Sequence, residues 1–402
     1  MKMVGIVAEY NPFHFGHQYQ LKQAKIKSRA DAVVVIMSGF FTQRGTPAIL
    51  DPWQRAKTAV AHGADLVIML PTVFSLHHAD LFAQGGVSLL EQLPGIEAIS
   101  FGAESEDLAV LNEIASVLDH DLHLQLLAKS EQKSGGNFGK TLTEALAQHP
   151  QLSHLATHLK SPNNILAISY LKAIRQYNSS LQPFSIPRVG AGYLDDLLQP
   201  MASATAIRKA LSEGQELSEY LPSVSYNVLQ AQSQLGRVLL SAEAFAPQIL
   251  TLLQRSTTEE LKQLPEMTEG LENRWIAKRD SRSLDELILR VKSKRYPYSK
   301  LQRSLFQLLL GIRKEDLPVR EMHLPYAMVL AFNQTGQDIL SEWRTSSPIP
   351  VITRPRKQSS VLNAYGQRLL DIDRLASELW EIALPQEARQ PGIWSIQQPI
   401  RY

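Results

Sequence analysis

The sequence predicts an α/β protein: a doubly wound parallel sheet with a helical insertion, followed by a mainly helical C-terminal domain. Three observations predict it. Short apolar runs alternate with helix-period segments over roughly the first hundred residues. Several runs are apolar on both faces, as strands covered by helices on either side must be. From residue 211 onward, leucine recurs at helical spacing. At 402 residues the chain has room for two or three domains. The expected division is 1–215, with the insertion over about 106–160, and 216–402.

Composition narrows the class. Hydrophobic residues at 44% and charged residues at 20% are ordinary for a globular protein. There are no cysteines, which excludes disulfides, thiolate metal sites and thiol nucleophiles. The first apolar run is only about five residues long before Glu9, and no run approaches the roughly 18 apolar residues of a membrane span. A cytoplasmic protein without a membrane partner is the expectation.

The elements follow in order. Residues 4–8 form the first strand, and Asn11-Pro12 breaks it into a loop that carries His14 and His17. Gly16 allows close approach of the backbone to a ligand, and 18–26 has the helical period. Residues 31–37 are the second strand, ending in a glycine-bounded loop at 38–45. A helix over about 52–62 precedes the third strand at 65–70, which Pro71 stops. A helix over about 78–93 leads to the fourth strand at 96–101 and the loop 102–105. Right-handed crossovers bring the loops 8–17, 38–46 and 101–105 to the carboxyl edge of the sheet, where such folds bind ligands. Residues 106–148 read as helical and mostly polar, with a break at 134–137. Pro162 and two asparagines open a further helix. Residues 185–189 form a short fifth strand that ends the sheet.

Two stretches carry anion chemistry. A helix N-terminus attracts anions through its unpaired N–H groups, and imidazoles donate to phosphate oxygens. His14-Phe15-Gly16-His17 has both, and resembles the HxGH signature of the adenylyl- and cytidylyltransferase superfamily. In that superfamily the histidines steady the phosphates while an acceptor attacks the α-phosphorus and pyrophosphate leaves. Ser203-Ala204-Thr205-Ala206-Ile207-Arg208 opens another helix with hydroxyls, N–H groups and an arginine. It resembles the SSTxIR motif that holds the triphosphate; alone, it also fits a plain N-cap with a surface arginine.

The C-terminal half is polarised in charge. Residues 211–272 hold three basic residues against nine acidic ones, whereas 273–303 hold ten basic against three acidic. The basic block contains Arg274, Lys278, Lys292, Lys294, Arg295, Lys300 and Arg303, interleaved with Tyr296 and Tyr298. Cations beside aromatic rings suit a nucleic-acid backbone and its unpaired bases. A solvated helix face gives the same composition, and Tyr296 fits a base-stacking ring or a buried structural one. Residues 348–353 read as an edge strand and about 371–382 as a closing helix.

Further motifs make the resemblance specific. They are Gly5-Ile6-Val7-Ala8-Glu9-Tyr10-Asn11-Pro12-Phe13 before the histidines, Met37-Ser38-Gly39 with Gln43-Arg44-Gly45, and Gly63-Ala64-Asp65-Leu66. Phe101-Gly102-Ala103-Glu104, Ser161-Pro162-Asn163-Asn164-Ile165-Leu166, Glu269-Gly270-Leu271-Glu272-Asn273-Arg274 and Lys294-Arg295-Tyr296 follow. Together they resemble the tRNA(Met) cytidine acetate ligase family, from residue 4 to about 310. Phe40 departs from the pattern, standing where a small or polar residue is expected.

The resemblance implies a nucleotidyltransferase-type, Rossmann-like first domain and a tRNA-binding second one. It implies that acetate and ATP form acetyl-adenylate, which then acetylates the wobble cytidine of elongator tRNA(Met). His14 and His17 would be catalytic. Val7, Ala8, Glu9, Tyr10, Asn11, Pro12, Phe13, Gly16, Gly102, Asn163 and Arg188 would bind ATP, with Ser203, Thr205 and Arg208 on the triphosphate. Mg2+ is expected with ATP, and no carboxylate cluster marks its ligands. The rival functions are a small-molecule nucleotidyltransferase of coenzyme synthesis, which would leave the basic half surplus, and a non-catalytic RNA-binding protein.

Overall fold

Strand β1 (Met3–Ala8) lies inside an eight-stranded sheet in a computed structural model of the protein. The structure describes residues 1–105, 107–120, 138–149, 152–187, 201–268, 270–317 and 323–402. β1 pairs in parallel with β2 (Ala32–Ser38) on one side and β4 (Ile96–Ala103) on the other. β3 (Leu66–Leu70) extends the first side and β5 (Gln182–Pro187) the second, both in parallel. The order β5-β4-β1-β2-β3 reverses at β1, so a crevice opens between the carboxyl ends of β1 and β4. Every residue of β2 and β3 is buried, the condition that makes both strands apolar on both faces.

The first helix, Phe15–Ser28, starts three residues before the segment expected from periodicity. His14 is its N-cap and His17 stands in its first turn, so the two histidines do not share a loop. Helix Pro52–Ala61 begins at Asp51, whose carboxylate accepts the Gln54 N–H at 2.9 Å. Helices Ala79–Gln92 and Pro162–Gln176 pack together near the β1 and β4 strand ends. The insertion contributes helices Leu108–His120 and Phe138–Gln148, while the break expected at 134–137 lies outside the described residues.

The C-terminal half is mainly helical, yet it supplies three strands. β6 (Ala327–Phe332) pairs antiparallel with β3, and β7 (Val351–Ile352) and β8 (Ile400–Arg401) pair in parallel with β6. β7 lies within the expected edge strand. β6 was not foreseen, so the fifth strand forms one edge of the sheet but is not its last strand along the chain. Six apolar residues of β6 are too short a run for period to separate a strand from a buried helix turn. The closing helix runs Ala364–Ile382, seven residues longer at its start, because Asn363 caps it through the Gly366 N–H at 2.8 Å.

Buried apolar side chains form one continuous cluster from Met3 to Trp394 and a smaller one around Ile49, Ala206 and Leu229. Polar ties cross the larger one. Trp380 donates its indole N–H to the Ala48 carbonyl at 2.9 Å, and Gln307 donates to the Leu76 carbonyl at 3.1 Å. Phe40 is buried between Trp53 and Trp380, which explains a bulky ring in that loop. Among the described residues, no helix is long and apolar enough to cross a membrane.

Candidate active site

The crevice at the strand ends is a cavity of about 200 Å³, built mainly by five stretches of chain. The end of β1 and its loop supply Val7 to Asn11, with His14 and His17. The loop after β2 supplies Thr42, Gln43, Arg44 and Thr46. The end of β4 supplies Phe101 and Gly102, and helix Pro162–Gln176 supplies Asn163, Leu166 and Tyr170. Ser203, Ala204, Thr205 and Arg208 close it. A smaller lobe beside it is lined by Gly16, Gly102, Ile186, Pro187 and Met201, again with both histidines.

The histidines are fixed by the backbone. The Gly16 N–H donates to His14 Nδ1 at 3.1 Å, and the His14 N–H donates to His17 Nδ1 at 3.3 Å. This is a capping box made of imidazoles instead of Ser and Glu. Since each Nδ1 accepts, each neutral ring carries its proton on Nε2 and presents a donor. The rings stack with centroids 3.7 Å apart. Tyr10 lies edge-on to His17 at 4.8 Å, with its backbone held at φ 48°, in the left-handed region. Pro12 and Phe13 are buried behind this surface, and Phe13 stacks on His62 at 5.2 Å.

The surrounding loops are tied down by charge. Arg55, fully buried on helix Pro52–Ala61, donates to the carbonyls of Glu9 at 2.5 Å, Ser38 at 3.0 Å and Leu50 at 3.1 Å, and to that of Gly39. Burial lowers its pKa to about 10, still well above neutrality, so it stays charged. Glu9 accepts the Gln43 N–H at 2.8 Å. Arg208 donates to the Asn11 carbonyl at 2.6 Å and to Thr205 at 3.2 Å, while Ser203 caps its helix at Ala206. Asn163 donates to Glu104, and Asn164 accepts the Glu104 and Ser105 N–H groups at 3.0 and 3.1 Å. Arg188 lies outside the described residues.

Gln20, Thr42, Thr46, Phe82 and Tyr170 line the cavity beyond the residues expected there, as does Arg44 from the Gln43-Arg44-Gly45 motif. Arg55 stands out in the sequence as a lone cation on a helix face otherwise made of Trp53, Ala56 and Ala59.

The basic block forms parts of helices Leu271–Ala277, Leu284–Val291 and Tyr298–Leu310. Lys292 and Lys294 are exposed, and Lys278 and Arg295 are partly so. Tyr296 is buried at 2% exposure, with Arg274 and Lys300 over its ring at 5.4 and 5.7 Å. Arg274 also donates to the Val291 carbonyl at 3.0 Å. Arg303 is paired with buried Glu266 at 2.6 Å and reaches the Gln43 carbonyl at 3.3 Å. The block therefore abuts the loop that carries Arg44 into the cavity.

Comparison with known proteins adds the family. The HIGH Nucleotidyl Transferase family model matches residues 1–392. The tRNA(Met) cytidine acetate ligase of Halothermothrix orenii is 33% identical, over 98% of this chain and 97% of its own. That of Clostridium perfringens is 36% identical, over 96% of each chain, and that of a Thermoanaerobacter species 37%, over 95% and 96%. Among solved structures, apo Thermotoga maritima TmcAL superposes with a TM-score of 0.94 at 28% identity, covering 100% of this chain and 99% of that one. The same protein bound with alpha-thio ATP gives 0.91 at 28% identity, covering all of both.

Proposed function

The chain belongs to the HIGH nucleotidyl transferase family, among its tRNA(Met) cytidine acetate ligases, and from this we propose that it acetylates a cytidine of tRNA(Met) at the expense of ATP. The single observation that carries the mechanism is the histidine pair, two Nε2–H donors at a helix N-terminus on the switch-point cavity. Acetate does not acylate amines, because oxide is not a leaving group. Attack of its carboxylate on the α-phosphorus of ATP releases pyrophosphate and gives acetyl-adenylate. The exocyclic amine of the wobble cytidine of elongator tRNA(Met) then attacks the acyl carbon, and AMP leaves.

The chain's part is orientation and charge stabilisation. His14 and His17 donate to phosphate oxygens around the α-phosphorus as charge shifts to pyrophosphate. Ser203, Thr205 and Arg208 hold the β- and γ-phosphates, with Gly102 and Asn163 on the nucleoside. Glu9 is the one carboxylate among the described residues of the lining, and it takes the proton that the amine sheds on acylation. Among the described residues there is no cluster of three metal-ligating side chains. Magnesium is therefore proposed to arrive on the triphosphate, held mainly by phosphate oxygens and water. The basic block 273–303 and the residues 216–402 around it are proposed to receive the tRNA, in the cytoplasm.

Purified protein with acetate, ATP and magnesium should exchange labelled pyrophosphate into ATP, and with tRNA(Met) should add one acetyl group to a cytidine, read by nucleoside mass spectrometry. Acetylation supported by acetyl-CoA without ATP would sink the adenylate mechanism.

A further inference from the structure

Two residues of the cavity wall carry a buried hydroxyl without a partner. The hydroxyls of Tyr10 and Tyr170 are buried and make no hydrogen bond among the described residues, although each residue is only 1% exposed and lines the cavity. A buried hydroxyl with no partner is costly, and two on one cavity are best explained by a ligand that supplies the acceptors. Their surroundings say what kind. Tyr170 stacks on Phe101 at 5.5 Å, and Leu166 lies one helical turn before it on the same face. Phe82, from the neighbouring helix, completes an apolar lining. The tyrosines thus set hydroxyls beside an apolar patch, in a cavity whose polar lining includes Glu9 and Arg44.

We propose that this part of the cavity is the acyl subsite, where the carboxylate of acetate accepts hydrogen bonds from Tyr170 and Tyr10 and its methyl group rests on Phe82, Phe101 and Leu166. The assignment deepens the acetate-activating function above and rests on it. Tyr10 touches the His17 ring, which puts the carboxylate beside the expected α-phosphorus. An acetate oxygen forms the new bond to that phosphorus, and the bond to the bridging oxygen breaks. Pyrophosphate leaves with the electron pair, and no proton moves. Burial pushes both phenols above their ordinary pKa, so they stay protonated and donate throughout. Phe82 then sets the length of acid admitted.

The test uses the full chain and two readouts, pyrophosphate exchange and line broadening of [13C]acetate. Tyr170→Phe keeps the ring and its packing while removing only the donor. It should raise the acetate KM about tenfold, leave the ATP KM within twofold, and abolish the broadening. Phe82→Leu, with Phe82→Ala as the larger cut, should shift preference toward propionate by about tenfold or more. If wild type turns over acetate but Tyr170→Phe leaves its KM unchanged, or raises that of ATP equally, the subsite is wrong while the function stands. If wild type shows no acetate-dependent exchange yet broadens acetate in a Tyr170-dependent way, the function falls and the subsite stands. Neither turnover nor broadening overturns both.

Discussion

At the scale of residues, the chemistry comes from groups whose orientation the backbone dictates. Each histidine at the cavity gives its Nδ1 to a main-chain N–H, so the helix cap itself puts the proton of the neutral ring on Nε2. His17→Ala removes one donor aimed at developing negative charge, a loss that typically costs about 2.7–4 kcal/mol, or roughly 10²–10³ in rate. Pyrophosphate exchange at saturating ATP should fall by that factor, with the helix content unchanged by circular dichroism. Glu9→Gln should split the reaction differently. The amide still accepts the Gln43 N–H, so exchange should persist, while transfer to tRNA should drop by about 10²-fold for want of a base. Equal losses in both steps would return Glu9 to a purely nucleotide-binding role. The histidines, Asn163 and the Ser203–Arg208 motif were legible because their spacing is local and repeats a known pattern. Tyr170 and Phe82 were not. A single aromatic on an amphipathic helix looks like core, and only the fold shows that it borders a cavity.

At the scale of elements, the loop after β2 is held from two sides. Arg55 ties its start to the loop after β1, and the helix Tyr298–Leu310 clamps its end. Gly45 has φ 81° and so little room that an added Cβ would lie 2.5 Å from the Arg303 nitrogen. The clamp contains a titrating pair. Burial pushes the Glu266 carboxyl up, but Arg303 beside it prevails and holds it at about 2, against 4.5 when unperturbed. Burial depresses His77 from 6.5 to about 3. Both folded values lie below the unfolded ones, so each group contributes stability above its unfolded pKa and loses it as pH falls. The melting temperature should accordingly hold near neutrality. It should decline from about pH 6.5 toward 3 through His77, joined below about 4.5 by Glu266. Glu266→Gln should flatten the lower limb in calorimetry across that range, and an unchanged limb would assign acid sensitivity elsewhere. The first four strands were readable because each holds an apolar run bounded by a turn, whereas the mixed sequence of β5 showed only its second half. β6 was hidden inside a leucine-rich half, where a six-residue apolar segment carries no period of its own.

At the scale of the whole molecule, the charge reversal near residue 272 was plain in the sequence, whereas its division of labour was not. Composition alone grouped Tyr296 and Arg303 with the exposed lysines. The fold packs Tyr296 beneath Arg274 and Lys300 and commits Arg303 to Glu266, whereas Lys292 and Lys294 are exposed, as are Arg274, Arg282 and Arg290. If this surface receives tRNA, its lysines neutralise phosphates and release counterions, so affinity should fall by about 0.7–0.9 log units per log unit of salt for each contact. Replacing Lys292 and Lys294 together by alanine should weaken tRNA binding, lower the slope by up to about two such increments, and leave ATP binding unchanged, since neither residue lines the cavity. Tyr296→Ala should behave in the opposite manner. It empties a buried site, at a typical cost of about 3–5 kcal/mol for a large aromatic, and should lower the melting temperature before it alters the salt slope. Paired titrations of tRNA and ATP across a salt series on both variants separate the two roles. An unchanged tRNA slope in the folded lysine double variant would move the RNA surface off the block and leave its exposed basic residues as solvated surface charge.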